Sequence, residues 1–259
     1  MTTAEARFLL TEQLTPRYGE GEAKSIARIV IEDVFGEQQL AIDNFKFHEI
    51  LARLLAGEPV QHVLGQADFF GLKFKVNPAV LIPRQETEEL VAWVLEFLKT
   101  SALEHPALLD VGLGSGCIGI TLKKKLPRLN LFGLEKSKAA LEVAVENARL
   151  ILGGNAEFEF AEGDIFKLFD WEKFPKLDVV VSNPPYILHA EKVMLPEHVA
   201  AHEPAEALFV SDDAPLGFYR AIADFSLKKL NAGGALFFEC NEFNASEVAD
   251  LLREKGFSK

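Results

Sequence analysis

Asn183-Pro184-Pro185-Tyr186 follows directly on the β-branched run at residues 179–181. Two prolines exceed what is needed to stop a strand, and they bring an amide, a rigid turn and a phenol ring to one spot. The Asn183 side-chain oxygen and the Pro184 carbonyl are both acceptors, and proline holds φ at about −65°, which fixes the carbonyl direction. A planar –NH2 group has two N–H bonds to match two such acceptors, and Tyr186 adds a face on which a planar group stacks. N-P is also an ordinary turn dipeptide.

A second constellation reads Asp110-Val111-Gly112-Leu113-Gly114-Ser115-Gly116, placed after an apolar run and before a helical pattern. Glycines let a backbone approach a ligand closely, and a helix N-terminus offers free N–H groups. Glu135 ends the next apolar run; an acid there suits the ribose hydroxyls of an adenosine cofactor, so NAD is one candidate. The order D-x-G-x-G-x-G more closely resembles S-adenosylmethionine-dependent methyltransferases. In that group the tip Glu162-Gly163-Asp164-Ile165 flanks the adenine, which implies Asp164 as acceptor for its amino group and Ile165 as a packing surface. By residue type alone, Asp164 equally suits a helix N-cap before Phe166.

Under the methyltransferase reading, residues 183–186 become a clamp for an amide-like nitrogen. Such a nitrogen is a poor nucleophile because its lone pair is delocalised. Accepting its hydrogens returns electron density to it, and holding it in line with a methyl–sulfonium bond removes the entropy of encounter. After methyl transfer the nitrogen must lose a proton; no His or carboxylate accompanies the motif in sequence, which leaves water as the acceptor.

These residues need a scaffold. Apolar runs near residues 107–111, 129–134, 156–161, 177–182 and 235–240 alternate with helices that begin near Ile118, Ser137 and Gly217. That alternation predicts a doubly wound, mostly parallel α/β sheet with helices on both faces. All four motif tips fall at strand C-terminal ends, the edge where open α/β sheets bind ligands. Residues 1–63 show helical periodicity alone: Phe8, Leu9 and Leu14; Ile26, Ile29, Val30 and Val34 up to Gly36; Ile50, Leu51, Leu54 and Leu55 up to Gly57. They predict three short helices in a small separate domain. Residues 64–82 read as a β-hairpin linker, and residues 83–259 as the α/β domain.

The 259 residues carry 49% hydrophobic and 25% charged residues, the balance of a globular protein. Net charge is −12, which argues against stable nucleic-acid binding. Cys117 and Cys240 form no CxxC pair and read as buried reduced thiols. No apolar run is long enough to span a membrane, and the N-terminus has no signal-peptide pattern. A cytoplasmic monomer without membrane association is expected. His198 and His202, followed by Glu203, could share a helix face, but no third ligand accompanies them and no metal is expected.

Taken together, LLDVGLGSGCIGI, VVVSNPPYIL, LIPRQETEELV, GQADFFGLKFKV, His202-Glu203-Pro204 and GGALFFEC resemble the protein-(glutamine-N5) methyltransferase family, also called HemK/PrmC, over roughly residues 60–240. The resemblance implies the class I S-adenosylmethionine-dependent methyltransferase fold and a peptide-chain release factor as substrate, methylated on the glutamine of its GGQ motif. It implies cofactor contacts at Gly112, Leu113, Gly114, Ser115, Gly116, Glu135, Asp164, Ile165 and Asn183. It implies a substrate pocket at Asn183, Pro184, Pro185 and Tyr186, with Asn183, Pro184 and Tyr186 in the chemistry. Arg84, Glu86 and Thr87 match a loop beside the cofactor; by residue type they also suit a helix start capped by Thr87. The N-terminal helices match the family's substrate-recognition domain.

Departures are Gln85, where the family more often has Pro; the place near Ile165, where it usually has a longer hydrophobic or aromatic residue such as Trp or Phe; and Glu239-Cys240-Asn241 in place of the commoner Glu-Ile-Gly. The chain stops at Gly256-Phe257-Ser258-Lys259, about where a sixth strand begins in such sheets, so the C-terminal strands are expected to be missing. The rival readings are glutamine methylation of a ribosomal protein, an N6-adenine or N4-cytosine DNA methyltransferase that flips its base out, an RNA-guanine methyltransferase, and a non-enzymatic cofactor-binding protein.

Overall fold

The computed structural model describes residues 1–36 and 42–258; residues 37–41 and Lys259 lie outside the described residues. The chain divides into two compact units, Met1–Gln66 with Pro196–His202, and Ala67–Leu195 with Glu203–Lys259.

In the first unit, α1 (Thr3–Val30), α2 (Asn44–Leu55), α3 (Val60–Leu64) and α8 (Glu197–His202) are the helices. Thr2 and Glu5 open α1 with a reciprocal capping box: Thr2 Oγ1 accepts from Glu5 N at 3.2 Å and Glu5 Oε2 from Thr2 N at 2.8 Å. The two helices expected here are one run broken at Gly19, whose φ of 76° leaves the helical region. The buried stripe is Ala6, Leu10 and Leu14, then Ala23, Ile26, Ala27 and Val30. Phe8 and Leu9, read as core-facing, are exposed instead; the i, i+4 spacing from Ala6 sets the face, and a small residue carried the signal. The second pattern runs on through a π-helical turn at Ile31–Phe35 and ends at Gly36. Helix α3 has no counterpart in the sequence reading; five residues are too few to show a period.

In the second unit, β1 (Gln66–Phe69) and β2 (Leu72–Lys75) pair as a two-stranded sheet. Phe69 and Phe74 meet edge to face at 6.0 Å and are buried. Then follow α4 (Glu86–Thr100), β3 (Ala107–Val111), α5 (Cys117–Lys125), β4 (Asn130–Glu135), α6 (Lys138–Leu152), β5 (Glu159–Glu162), α7 (Leu168–Trp171), β6 (Leu177–Ser182), β7 (Ile187–Leu188), α9 (Ala205–Leu208), β8 (Phe209–Val210), α10 (Gly217–Lys229), β9 (Leu230–Phe238) and α11 (Ala245–Glu254). The main sheet has the order β5-β4-β3-β6-β9, with every pairing parallel.

Strand residues alternate between two cores. Leu108, Val179 and Val181 pack with Val91, Val94 and Leu98 of α4 and with Ile120 of α5. Leu109, Val111 and Val180 pack with Ile222 and Phe225 of α10 and with Trp171 of α7. Both faces of the sheet are therefore covered, which is why its strands read as unbroken apolar runs. The doubly wound reading of the sequence holds. Some details fell outside it: β9 starts well before residue 235 and joins β6 through an irregularity near Leu177 and Val179, β7 and β8 form a short parallel pair, the short helices α7 and α9 interrupt the connections, and α11 follows β9. Among the described residues, no helix is long and apolar enough to cross a membrane.

The chain winds from β3 outward through β4 to β5, then returns to the other side of β3 as β6. That reversal opens a crevice above the C-terminal ends of β3 and β6, between the loop after Val111 and the loop after Ser182.

Candidate active site

A cavity of about 380 Å³ occupies this crevice, a size suited to a cofactor-sized molecule. The glycine loop forms its floor. Gly112, Gly114 and Gly116 all have positive φ, at 76°, 54° and 79°. A Cβ at Gly112 or Gly114 would meet nothing within 4 Å, whereas at Gly116 it would stand 2.5 Å from Ile120 Cδ1. The first two are thus required by backbone conformation and leave free space above them, while the third is required by helix packing as well. Leu113 and Ser115 line the cavity too, although their side chains are turned into the fold. Leu113 fills the space where a Gly133 side chain would stand, and Ser115 lends its carbonyl to Asn147 Nδ2 at 2.9 Å.

Two carboxylates brace this loop. Glu135, at the tip of β4, accepts from Gly114 N at 2.9 Å and from Ser137 N at 2.8 Å, so one side chain ties the loop to the start of α6. Asp110 accepts from Gly119 N at 2.9 Å. Burial pushes the Asp110 carboxyl up to about 8, the Gly119 N–H working against that rise and the nearby Glu135 charge adding to it. Its other oxygen is buried without a partner.

The third strand tip brings Asp164 and Ile165 to the cavity wall. Asp164 Oδ1 accepts from Phe166 N at 3.0 Å and Oδ2 lies 3.5 Å from Lys136 Nζ. The turn role is local, however: α7 starts only at Leu168, so Asp164 does not cap it. Ile165 is buried, and its carbonyl accepts from Trp171 Nε1 at 2.8 Å.

The fourth tip carries Asn183, Pro184 and Pro185 to the same wall. Ser182 locks the end of the strand: its hydroxyl donates to Val111 O at 2.7 Å, and its carbonyl accepts from Glu239 N at 3.0 Å. Asn183 Nδ2 donates to Thr87 Oγ1 at 3.3 Å, and Thr87 Oγ1 donates to Glu239 Oε2 at 2.7 Å. Thr87 is not a helix cap. It sits inside α4, which Gln85 precedes, and is buried. Of the cofactor and substrate contacts expected at residues 112–116, 135, 164, 165 and 183–186, Gly116 and Tyr186 lie outside the cavity wall, and so does Glu86 of the expected neighbouring loop. Tyr186 packs instead beside Tyr219, Val248 and Leu251, and burial raises its phenol above the ordinary value.

Two residues named in sequence only within motifs, Glu239 and Glu203, turn out to hold parts of the wall in place. Glu239, at the end of β9, is half-buried, and that burial raises its carboxyl above the usual range against the pull of Thr87. Its sequence signal was its position at a strand tip, the same signal that marks Glu135. Glu203 is almost wholly buried and accepts from Arg84 Nη2 at 2.6 Å and from Ile82 N at 3.1 Å, which fixes the 82–84 segment along the cavity. That pairing commits Glu203 elsewhere than to a metal. Among the described residues no group of three or more His, Cys, Asp or Glu could hold a metal ion. Cys117 and Cys240 are free and half-buried rather than fully buried, and burial pushes the Cys117 thiol up to about 12.

The chemistry of the donor set fits an adenosine-bearing sulfonium cofactor. Open glycine backbone, a strand-tip carboxylate and an apolar shelf at Ile165 face one cavity of suitable volume. The methyltransferase small domain family matches residues 87–203. The chain is 37% identical to the release factor glutamine methyltransferase of Flavobacterium psychrophilum over 97% of this chain and 90% of that one. It is 36% identical to that of Bacteroides thetaiotaomicron, over 94% of this chain and 88% of the relative. Among solved structures, the hMettl16 catalytic domain in complex with the MAT2A 3′UTR hairpin 6 superposes with a TM-score of 0.55 at 15% identity, over 83% of this chain and 73% of that one. A SAM-dependent methyltransferase from Agrobacterium tumefaciens gives 0.50 at 13% identity, over 73% and 57%. At those identities the structural likeness speaks to fold alone. With the sheet order, the strand-edge cavity and near full-length relatives in agreement, the chain belongs to the protein-(glutamine-N5) methyltransferase family, HemK/PrmC, built on the class I S-adenosylmethionine-dependent methyltransferase fold.

Proposed function

We propose that this protein transfers a methyl group from S-adenosylmethionine to the side-chain amide nitrogen of the glutamine in the GGQ motif of peptide-chain release factors. The observation that carries the reading is that the glycine loop after β3 and Asn183 after β6 face one cavity. A methyl donor and an amide acceptor can then meet at a single edge of the sheet.

When bound, the cofactor would supply a sulfonium methyl group, its C–S bond breaking to leave a neutral thioether as the N–C bond forms, and the methylated nitrogen would release one proton to water. The chain's own residues hold and aim. Gly112, Leu113, Gly114 and Ser115 offer backbone to it while Gly116 turns the chain into α5, Glu135 suits its ribose, Asp164 suits the adenine amino group, and Ile165 gives the ring an apolar surface. Asn183 Oδ1 and the Pro184 carbonyl accept the two amide hydrogens of the glutamine and keep its nitrogen oriented. The apolar walls exclude competing water. Tyr186 supports the turn from its packing beside Tyr219. The N-terminal helices, residues 1–63, recognise the release factor, and the protein acts as a cytoplasmic monomer.

Incubation with radiolabelled S-adenosylmethionine and three acceptors, a release factor, a ribosomal protein fraction and duplex DNA, tests the reading. Label enters the release factor and is lost when its GGQ glutamine is replaced by alanine. Label in DNA alone overturns it.

A further inference from the structure

Asn183 does not stand alone at the cavity wall. Its Nδ2 donates to Thr87 Oγ1 across 96 residues of sequence, and the Thr87 hydroxyl donates to Glu239 across 152. Direction along this chain is set from its far end. Glu239 Oε2 is the acceptor at 2.7 Å, so Thr87 spends its single hydroxyl proton on that bond. The Thr87 oxygen can then only accept from Asn183. The group that Asn183 turns toward Thr87 is therefore its –NH2, which leaves its carbonyl oxygen for another partner. An amide with no such constraint presents either end, and only the oxygen accepts from a substrate –NH2.

We infer that Thr87 and Glu239 are positioning residues that fix which way the Asn183 amide faces, so that its oxygen meets the hydrogens of the methyl-accepting amide. The inference rests on the methyl-transfer function proposed above and deepens it. It assigns a shared task to the start of α4 and to the end of β9, neither of which belongs to the Asn-Pro-Pro-Tyr segment. The burial of Thr87 suits the task, because water cannot replace its hydroxyl as a directed partner. Glu239 is tied down at its backbone as well, its N–H donating to Ser182 O at 3.0 Å and its carbonyl accepting from Tyr219 Oη at 3.2 Å. The carboxylate is thereby held to the strand tip that carries Asn183.

Thr87→Val keeps the shape of the side chain and removes the hydroxyl, Thr87→Ser keeps the hydroxyl, and Glu239→Gln introduces a donor where only an acceptor stood. Each variant and the wild type are assayed for kcat on a release factor and for S-adenosylmethionine affinity by calorimetry. Thr87→Val and Glu239→Gln lower kcat about tenfold, the worth of one directed hydrogen bond, with cofactor affinity unchanged. Thr87→Ser restores the wild-type rate. Unchanged kcat in both Thr87→Val and Glu239→Gln overturns the inference and leaves the methyl-transfer function standing. So does a loss that falls on cofactor affinity, or a Thr87→Ser variant as slow as Thr87→Val. Should Thr87→Val fail to fold, Glu239→Gln carries the same expectation alone. Absence of transfer by the wild type overturns the function and the inference with it.

Discussion

Gly114 N–H and the Glu135 carboxylate meet at 2.9 Å, joining the loop after β3 to the tip of β4. The other Glu135 oxygen holds Ser137 N at 2.8 Å, so one side chain shapes the cavity floor from two directions. Glu135→Ala frees both N–H groups and lets the loop relax. A hydrogen bond to a charged group is worth about 1.5–3 kcal/mol, which predicts S-adenosylmethionine binding weakened by roughly 10- to 100-fold. Calorimetric titration checks this; an unchanged dissociation constant would show that the backbone bond from Gly112 N to Leu134 O holds the loop alone.

Asn183→Ala removes the side-chain acceptor and leaves the glycine loop untouched. Methyl transfer is expected to fall by about 10²-fold or more, by analogy with the loss of one preorganised group around a reacting centre. Cofactor affinity should change far less. Single-turnover transfer and binding, measured on the same preparation, separate the two. Near-normal transfer would remove Asn183 from the clamp.

Asp110 predicts a pH dependence of stability. Its carboxyl ionises at an ordinary 3.8 in the unfolded chain and at about 8 in the folded protein. Between those values the folded state binds more protons than the unfolded one, so this group makes stability fall as pH rises through that window. Asp110→Asn keeps an acceptor for Gly119 N and cannot ionise. Denaturant melts from acid to mildly alkaline pH should show a flatter profile in the variant, with the gap widest at the alkaline end. Parallel profiles would exclude Asp110 as the source.

Glu203→Ala leaves the Arg84 guanidinium and Ile82 N–H without their buried partner. Breaking a buried pair from one side costs about 3–5 kcal/mol, and the lower end is expected here because Arg84 stays a third exposed and can turn to water. Thermal melts give the loss directly. The 82–84 segment lines the cavity, so cofactor affinity should fall along with stability. Stability lost without any change in affinity would confine Glu203 to a purely structural task.

Sequence and structure divide this protein at a definable place. The apolar strand runs, the glycines after β3 and the acid after β4 could be read directly, because period and backbone conformation are local properties of the chain. So could the meeting of the motifs at one sheet edge, since parallel strands joined by helices put every strand C-terminus on the same side. The register of the N-terminal helix was misjudged at Phe8 and Leu9 because the small Ala6 marks the buried face. Helix α3 and the β7–β8 pair were too short to show a pattern.

Partnerships between distant residues belong to the tertiary structure alone. Thr87 reads as a cap in sequence and serves as a link between Asn183 and Glu239 in space. Glu203 reads as a member of a His-His-Glu run and is instead the counter-charge of Arg84. Tyr186, next to the prolines in sequence, turns away from the cavity to pack beside Tyr219. The sequence determined which residue types reach the crevice, because strand direction delivers them there. Which of their atoms face each other was decided only when segments separated by about a hundred residues packed together, since hydrogen-bond direction depends on partners that no local pattern contains.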